Sequence, residues 1–577
     1  MILQALTGYY QTLADRGEIV LPGWSKVKVS YALCITDDGV LEQVIPLLTE
    51  QPKGKKTVLA PRLFTLPAPV KRASGVAANF LCDNSSYMLG IDSKGKPQRS
   101  VACFAACKDL HETLLDGIDS PAAKAVLAFF HTWQPEQAAA YPVLAEKMEE
   151  ILAGANLIFQ YDGRFIHEDP LIRRAWDAYY QTAGDGPEMI CLVTGEKGPV
   201  ENIHPAIKNV SGAQSSGAAL VSFNAPAFCS YGKEQNFNAP TSKYAAFAYT
   251  TALNHLLADR EHVYRMGDTT VVCWAKGGGN IYQNIFGWAC MGQPPSYSLT
   301  DLQSALQNLC AGKTVLLDEE RLNPDMEFYI LGLSPNAARL SVRFFLRNTF
   351  STLLRNAQAH QARLEIVKPV YDKFDTLPLW KLLDETVNQS TRDKTPAPNL
   401  AGEVLRAVMN DTPYPATLRN GVALRIRAER EVTRGRAAIL KAYYLKNTHP
   451  DVPKEVLTVS LNPDSTNTAY NLGRLFSVLE AAQEAANPGI NATIKDKYFS
   501  SASATPGHVF PVLLKLVQSH LKKLDRGLRT YYDKQITELL SKLGESYPVR
   551  LNLHQQGSFQ LGYYHQTQMR YAKKEEK

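Results

Sequence analysis

Three adjacent residues in the first third of the chain could hold a catalytic metal: His167, Glu168 and Asp169. Imidazole and carboxylate groups are ligands that divalent cations accept in metal-dependent enzymes. No second acidic cluster follows at a useful spacing, so the start of a solvent-exposed helix is the favoured interpretation. A metal-dependent nuclease acting on DNA or RNA is kept as the alternative function.

Cys103, Cys107 and His111 are spaced four residues apart, on one face of a predicted helix over 101–118. A structural zinc site needs four ligands and no partner pair follows, so we interpret these side chains as core residues. The end of a Walker motif stands at 311–314, but Gln307 replaces its first glycine. GxSxG and HExxH motifs are also missing from the sequence. We therefore expect no catalytic residue, no metal site and no cofactor.

Two glycine-containing stretches are better suited to binding than to catalysis. The stretch 70–92 places a basic pair beside a glycine and then several amide side chains, a combination that suits phosphate contact and base-edge recognition. The stretch 194–240 is rich in Gly, Ser, Asn and Gln and has no helical periodicity. The alternatives are a basic loop leading into a strand over 87–91 and, for the second stretch, a surface loop that joins strands.

Basic residues are concentrated in two further places. A predicted strand over 338–346 carries basic residues on one face, which suits a nucleic-acid backbone, although edge strands also carry charge to prevent aggregation. The segment 418–447 holds eight basic and two acidic residues, an excess equal to the net charge of +6 of the whole chain. On a continuous helix, four basic residues of this segment would form one stripe for phosphate contact, unless Gly435 breaks the helix. The alternative interpretation is a solvated helix face. The residues concerned are Arg339, Arg343, Arg427, Arg430, Arg434 and Lys441.

Length and composition place the chain among ordinary globular proteins. Its 577 residues predict two to four domains, and 20% charged with 45% hydrophobic residues exclude a disordered chain. Nine scattered cysteines are typical of a reducing compartment. The N-terminal segment is amphipathic, and no apolar run approaches the ~20 residues that span a bilayer. We expect a soluble, cytoplasmic protein.

Hydrophobic periodicity predicts an α+β fold, with a mixed α/β N-terminal region followed by an all-α C-terminal helical bundle. Predicted helices cover 1–17, 242–260 and 349–363, and predicted strands cover 27–35 and 269–274. The composition of 389–399 is typical of a linker. The predicted organisation is a mixed region over 1–388, the linker over 389–399, a basic helical segment over 400–454 and a helical bundle over 455–577.

Several long strings in this order closely resemble one known family. They are VKRASGVAANFLCDNSSYMLGID (70–92), the polar stretch TGEKGPVENIHPAIKNVSGAQSSGAALVSFNAPAFCSYGKEQNFNAP (194–240), and AKGGGNIYQNIFGW (275–288). The family is the large subunit of the type I-C CRISPR Cascade, a bacterial RNA-guided surveillance complex. The resemblance covers essentially the whole chain.

The resemblance implies a noncatalytic subunit that recognises the protospacer-adjacent motif in duplex DNA, aids duplex opening and recruits a helicase-nuclease. Sequence selection is then left to the guide RNA, while the protein reads the adjacent duplex. From the matched strings and their chemistry, the predicted motif-reading residues of the first stretch are Lys71, Arg72, Ser74 and Asn79. Those of the second stretch, which would act as a second reading loop or as a wedge, are Asn209, Gln214, Ser215 and Ser216. Backbone or displaced-strand contacts are assigned to the six basic residues named above.

The resemblance also implies partners. They are the crRNA, double-stranded target DNA, the backbone and crRNA 5′-end subunits of Cascade, its small subunits and the helicase-nuclease effector; no membrane is involved. In this family the C-terminal bundle can also be made separately as the small subunit. No methionine lies between Met409 and Met569, so a separate product here needs a noncanonical start near Val456 or Val459.

Overall fold

The computed structural model describes residues 1–53, 56–70, 72, 75–92, 97–182, 187–392, 394–397 and 399–571. The chain divides into two compact units. The first unit contains residues 3–205 and 222–252, and the second contains residues 206–221 and 253–577. Each unit has a hydrophobic core of its own.

Runs of strands and runs of helices follow one another in the first unit. The strands are β1 (Trp24–Val29), β2 (Tyr31–Ile35), β3 (Leu41–Pro46), β4 (Leu48–Lys53), β5 (Lys56–Pro67), β6 (Cys82–Asp83), β7 (Leu157–Tyr161), β8 (Arg164–Phe165), β9 (Glu188–Ile190) and β10 (Lys197–Pro199). The helices are α1 (Ile2–Asp15), α2 (Ser85–Met88), α3 (Pro97–Leu115), α4 (Pro121–Thr132), α5 (Pro142–Ala145), α6 (Met148–Leu152), α7 (Pro170–Thr182) and α8 (Lys243–Ala258). The predicted helices over 1–17 and 242–260 are confirmed as α1 and α8.

The predicted strand over 27–35 is divided into two strands that belong to different sheets. β1 pairs with β5, whereas β2 lies between the antiparallel β3 and the parallel β7. The division falls at Ser30, whose N–H donates to Asn156 and whose carbonyl accepts from Leu47. The first three residues of β2 are all buried, so this strand is covered on both faces and lies at the centre of the core.

Aromatic side chains of α4 and β7 form the middle of the first core. Phe129 and Phe130 both contact Phe159 edge to face, and all three rings are buried. The predicted helix over 101–118 is confirmed as α3. Its Cys103, Cys107 and His111 are buried in this core, as predicted.

The described part of the second unit contains a four-stranded sheet, a two-stranded sheet of β13 and β14, and many helices. The strands are β11 (Val263–Met266), β12 (Thr269–Ala275), β13 (Val315–Leu317), β14 (Glu320–Leu322), β15 (Glu327–Asn336) and β16 (Arg339–Thr349). The helices are α9 (Asn280–Phe286), α10 (Leu299–Cys310), α11 (Phe350–Leu364), α12 (Leu379–Asp384), α13 (Leu400–Met409), α14 (Ala416–Glu429), α15 (Arg434–Lys446), α16 (Thr468–Ala486), α17 (Ile494–Ala504), α18 (Pro506–Leu521), α19 (Arg526–Ser541) and α20 (Leu553–Tyr571). Within the described ranges of the chain, no helix is both long enough and apolar enough to cross a bilayer.

The four-stranded sheet of the second unit is antiparallel, in the order β11-β12-β15-β16. β12 is buried along its whole length, and its core is continuous with that of the C-terminal helices. The predicted strands over 269–274 and 338–346 are confirmed as β12 and β16, and the predicted helix over 349–363 as α11.

Helix α16 is the central helix of the C-terminal tail. Four apolar residues at helical spacing are all buried: Leu472, Leu475, Phe476 and Leu479. Helix α20 approaches it so closely that a Cβ on Gly473 would lie 1.9 Å from the Phe559 carbonyl oxygen. Glycine is needed there because the two backbones are in contact. Leu516 on α18 and Leu528 on α19 follow the same apolar spacing in the sequence but are exposed.

The fold is a mixed α+β fold with many helices, as predicted. The second unit combines a sheet with helices, so the predicted change from a mixed region to an all-α bundle does not coincide with the division between compact units. The segment 389–399 lies within the second unit. Its role as a linker, and the domain boundaries around it, stay predictions.

Candidate nucleic-acid interface

The first loop, residues 70–92, is organised around the buried carboxylate of Asp83, which is 2% exposed. This carboxylate accepts a hydrogen bond from the N–H of Asn79 at 3.0 Å. The Arg72 guanidinium forms a two-point ion pair with it, donates to the Ala77 carbonyl and lies 3.9 Å from the centre of the Tyr87 ring. Arg72 is therefore engaged within the protein and holds the loop in its shape.

The exposed residues 75–77 of the first loop are apolar, and this described stretch is named its tip. Val76 is 41% exposed and stands between the exposed Gly75 and Ala77. The two sides of the loop are joined where the side-chain oxygen of Asn79 accepts from the N–H of Val70 at 2.9 Å. Lys71 and Ser74, two predicted motif-reading residues, lie outside the described residues.

After strand β6, residues 85–88 form the short helix α2. The Asn84 side chain caps α2 by accepting from the N–H of Ser86 at 3.0 Å. The alternative interpretation of 87–91 as a strand is therefore wrong. The capping preference of Asn was the signal in the sequence that could have indicated this helix.

The second loop, residues 206–219, is closed at its base by backbone hydrogen bonds. Ile207 and Ala218 exchange two of them, at 2.9 and 2.8 Å, and both residues are buried. The Asn254 side chain accepts from the N–H of Lys208 at 2.7 Å and donates to the Ala206 carbonyl at 3.0 Å. The base of this loop is therefore a fixed part of the second unit.

Polar side chains are exposed at the tip of the second loop. They are the predicted residues Asn209, Gln214, Ser215 and Ser216. Asn209 and Gly217 have φ angles of +65° and +98°, in a region that asparagine and glycine tolerate best. A Cβ on Gly217 would lie 2.9 Å from the Ile207 carbonyl oxygen. The loop closes through these residues and leaves its amides and hydroxyls exposed.

Strand β16 begins beside the base of the second loop. Ala219 pairs in parallel with Arg339: its N–H donates to the Ala338 carbonyl and its own carbonyl accepts from Leu340, both at 2.9 Å. Arg339 is half-buried. The structure thus brings one predicted backbone-contact residue next to the loop that carries four predicted motif-reading residues.

Arg343 lies further along β16 and is anchored within the protein. Its guanidinium donates to Asp268 at 2.5 Å and to Asn399 at 2.7 Å. Burial works to raise the pKa of Asp268, but the hydrogen bonds from Arg343 and Ser334 hold it below its usual value. The charge of Arg343 is therefore balanced inside the second unit.

The segment 418–447 is not one continuous helix, and the break falls at Arg430 and not at Gly435. Helix α14 ends at Glu429 because Arg430 takes a left-handed conformation with a φ of +56°. Helix α15 begins only at Arg434, after Thr433, whose hydroxyl accepts from the N–H of Arg436 as its N-cap. The four basic residues therefore do not form one stripe.

Two of these four basic residues are exposed, one is half-buried and one is buried. Arg427 and Arg430 are exposed. Arg434 pairs with Asp372 at 3.0 Å, whereas the Nζ of Lys441 donates to the Arg363 carbonyl at 3.1 Å and burial lowers the pKa of Lys441. In this conformation Arg434 and Lys441 do not present their charges to a nucleic acid.

A comparison over the whole chain shows what it is related to. Residues 6–571 match the family model described as CRISPR-associated protein (Cas_Csd1). The chain belongs to the Cas_Csd1 family. The match covers both loops and both basic regions, and it confirms the family indicated by the sequence strings. No curated protein matches the chain.

In this Cas_Csd1 family member, the three candidate nuclease ligands have structural roles or stand apart. The Asp169 carboxylate accepts from the Ser120 hydroxyl at 2.7 Å and from the N–H of Leu171 at 2.8 Å, so it begins α7. His167 packs against the Phe64 ring, and burial lowers its pKa to about 4. Among the described residues, no group of three or more histidine, cysteine or acidic side chains could hold a metal ion.

His111 of the Cas_Csd1 chain uses both ring nitrogens within the core. Its Nε2 accepts from the N–H of Leu81 at 3.0 Å, so its Nδ1 carries the proton and donates to the Cys107 carbonyl at 2.7 Å. Burial lowers the pKa of His111 to about 4. The cysteine-histidine face is therefore part of the core, and His111 also supports the first loop.

One exposed basic surface of this family member received no specific role from its sequence. It consists of α18, α19 and the turn that joins them. Its exposed basic residues include Lys515, Lys522, Arg526 and Lys534. Tyr531 on α19 is also exposed. The signal in the sequence was the density of basic residues around an aromatic side chain, which is typical of surfaces that bind single strands.

Proposed function

We propose that this protein is the noncatalytic large subunit of an RNA-guided DNA surveillance complex, the type I-C Cascade. It recognises the short motif beside the target in duplex DNA. The observation that carries this proposal is the second loop, whose base is fixed while its amides and hydroxyls are exposed beside Arg339. Amide and hydroxyl groups bind base edges in a groove, and an arginine nearby can contact a phosphate.

The first loop has a different proposed task, which is to help open the duplex. The exposed tip around Val76 is apolar, and apolar side chains separate stacked bases when they are inserted between them. Arg72 and Asn79 hold the tip in shape through Asp83 and Val70. Lys71 and Ser74 stay predicted contacts of this loop with the DNA.

Arg427, Arg430 and the basic surface of α18 and α19 are proposed to bind the nucleic-acid backbone. Their charges attract phosphates irrespective of sequence, and the exposed Tyr531 can stack on a base of the displaced strand. The proposed partners are the crRNA, the other Cascade subunits and the helicase-nuclease, which this subunit helps to recruit. Production of the tail as a separate small subunit, from a start near Val456 or Val459, stays a prediction.

Motif reading is tested with the assembled complex and its crRNA. Binding is measured on a set of target duplexes that differ only in the adjacent motif. Gln214→Ala should reduce the preference for the correct motif about tenfold, because a bidentate amide contact discriminates bases by about 1–3 kcal/mol. Gln4→Ala changes an exposed glutamine on α1 and should leave the preference unchanged. Equal weakening of all motifs by Gln214→Ala would contradict this role.

Backbone binding is tested on the same duplexes at several salt concentrations. A double change of Arg427→Gln and Arg430→Gln should weaken all duplexes alike. The slope of the logarithm of affinity against the logarithm of salt should become shallower by about 1 for each lost phosphate contact. Arg434→Gln is the comparison variant, since its charge is engaged with Asp372. A change in motif preference in the double variant would refute the division of labour.

A further inference from the structure

A cavity of about 770 Å³ lies among α14, α17 and α20 in the second unit. This volume falls in the range of about 300–1,000 Å³ that small-molecule sites occupy. Arg419 and Arg427 of α14 line one part of the cavity. Serines of α17 and the glutamines Gln556 and Gln560 of α20 line other parts. Arg419 and Arg427 are eight residues apart and Gln556 and Gln560 are four apart, so each pair lies on one face of its helix.

Arg419 is a buried cation without an anionic partner. It is 8% exposed, and its guanidinium donates to the Tyr444 hydroxyl at 3.4 Å and to the Asn420 side-chain oxygen at 2.7 Å. Its Nε has no hydrogen-bond acceptor, and its guanidinium carbon lies 5.8 Å from the centre of the Tyr443 ring. Among the described residues, no carboxylate pairs with it or lines the cavity. A buried charge left in this state is costly unless an anion from outside completes it.

Gln560 is the second group without a partner. Its side chain is 5% exposed and lines the cavity, and within the described ranges nothing hydrogen-bonds to it. The Gln556 amide donates to the Leu551 carbonyl at 3.0 Å, which leaves its oxygen available as an acceptor. Gln556 is half-buried and Gln560 is buried, and both amides line the cavity, where they can hydrogen-bond to a polar ligand.

Apolar side chains complete the lining. Phe499 and Ile426 are buried beside the cavity, and Leu424 and Leu553 are exposed at its edge. A ligand that fits must therefore combine an anionic group for two arginines, a flat apolar body for Phe499, and donors or acceptors for two amides.

We propose that this cavity binds a nucleoside phosphate. The phosphate is held by Arg419 and Arg427, and the base lies against Phe499 and hydrogen-bonds to Gln560. The ligand is either one nucleotide of a single strand or a free nucleotide, since both carry this chemistry. The proposal does not depend on motif reading, because the cavity and the second loop share no residue.

Isothermal titration of the full-length protein, free of nucleic acid, tests the ligand class. AMP should bind saturably and at least about tenfold more tightly than adenosine, because its phosphate accepts charge-assisted hydrogen bonds. AMP should also bind more tightly than inorganic phosphate, because phosphate lacks the base. The absence of saturable AMP binding, or equal affinities for AMP and either fragment, would overturn the proposal.

Two variants that each remove one positive charge test the location. Arg427→Gln should weaken AMP binding about tenfold, as expected for one lost hydrogen bond to a charged group. Lys497→Gln removes one charge at an exposed position of α17, outside the cavity, and should change the affinity less than about twofold. Gln560→Leu, with its folding checked by circular dichroism, should also weaken AMP binding but leave the binding of inorganic phosphate unaffected. Equal losses in Arg427→Gln and Lys497→Gln would show that AMP binds only to the general positive field, and would overturn the site.

Competition distinguishes the two sources of the nucleotide. A thymidine tetranucleotide that displaces AMP from the wild-type protein, and whose binding Gln560→Leu weakens, identifies a strand as the occupant. If the tetranucleotide does not displace AMP, a free nucleotide is the occupant. Failure of motif reading in the assembled complex would leave both results unchanged, so the two proposals fail separately.

Discussion

The two candidate DNA-contacting loops are fixed by different kinds of interaction. The first loop depends on ionisable side chains, namely the Arg72–Asp83 ion pair and the acceptor Nε2 of His111. The second loop is closed by the backbone pair between Ile207 and Ala218 and by the Asn254 amide. None of these second-loop bonds involves a charged group.

This difference shows how a charged residue in a loop can be misread from sequence. Arg72 stands beside a glycine in a polar stretch, the usual setting of a phosphate contact, yet its charge serves the shape of its own loop. In the second loop the backbone provides the closure, so that the side chains of Gln214, Ser215 and Ser216 stay exposed. The most promising reading residues are therefore the uncharged ones.

The largest effect should come from removing the carboxylate that holds the first loop. Asp83→Ala leaves Arg72 without its anion and frees the N–H groups of Asn79 and Asn84. Breaking such a partly buried ion pair costs about 3 kcal/mol or more, which corresponds to at least about a 100-fold faster hydrogen exchange at these two amides. Asp116→Ala, at an exposed aspartate, is the matched control. Unchanged exchange in Asp83→Ala would show that the loop is fixed by other contacts.

Acidification should loosen the first loop and spare the second. Burial lowers the pKa of His111 from its usual 6.5 to about 4, so the neutral ring is present in the folded protein at pH 5. Between pH 6.5 and about pH 4 the His111 ring is protonated in the unfolded chain but not in the folded chain. The free energy of unfolding therefore decreases as the pH falls through this range. The loss is about 1.4 kcal/mol per pH unit, or roughly 2 kcal/mol between pH 6.5 and 5.

Hydrogen exchange at pH 7 and pH 5, corrected for intrinsic rates, measures this difference. The Leu81 amide, which donates to His111, should lose protection at pH 5, whereas the Ala218 amide of the second loop should not. His111→Gln removes the titrating group and should abolish the pH dependence at Leu81. An equal loss at Leu81 and Ala218 would mean that the loops are not held independently.

A strained backbone position should weaken the second loop by a smaller amount. Gly217→Ala introduces a Cβ at a φ of +98°, 2.9 Å from the Ile207 carbonyl oxygen. We expect a cost of about 1–2 kcal/mol, seen as faster exchange of the Ile207 and Ala218 amides. Gly312 also has a positive φ, but open space surrounds it, so Gly312→Ala has only the conformational cost. We expect Gly312→Ala to destabilise its own turn less than Gly217→Ala destabilises the second loop. If both variants are equally mild, the loop base tolerates the close contact.

Periodicity in the sequence predicted the helices and strands whose pattern depends on local burial. Helix α16 and strand β12 are examples, since their apolar residues follow one another closely along the chain. The exposure of Asn209 and Gln214 also followed from a polar stretch with glycines. The family could be recognised from long strings, and the match over residues 6–571 confirms it.

Long-range partners were the part that the sequence could not reveal. Arg434 and Lys441 are as basic as Arg427, and only the positions of Asp372 and the Arg363 carbonyl in space show that they are engaged within the protein. The helix break at Arg430 depends on a left-handed residue that could equally have been helical. The cavity beside Arg419 is formed by three helices separated by up to about 140 residues, so no local pattern could indicate it.

The smallest expected effect separates shape from recognition at one residue of the second loop. Asn209 has a φ of +65°, which alanine tolerates less well than asparagine and which glycine adopts freely. Asn209→Ala should therefore weaken loop closure by about 1 kcal/mol, while Asn209→Gly should not, as measured by exchange of the Ala218 amide. Both variants lack the amide, so both should lose motif preference in the assembled complex if Asn209 contacts a base. If only Asn209→Ala loses it, Asn209 acts through the shape of the loop, and recognition rests on Gln214, Ser215 and Ser216.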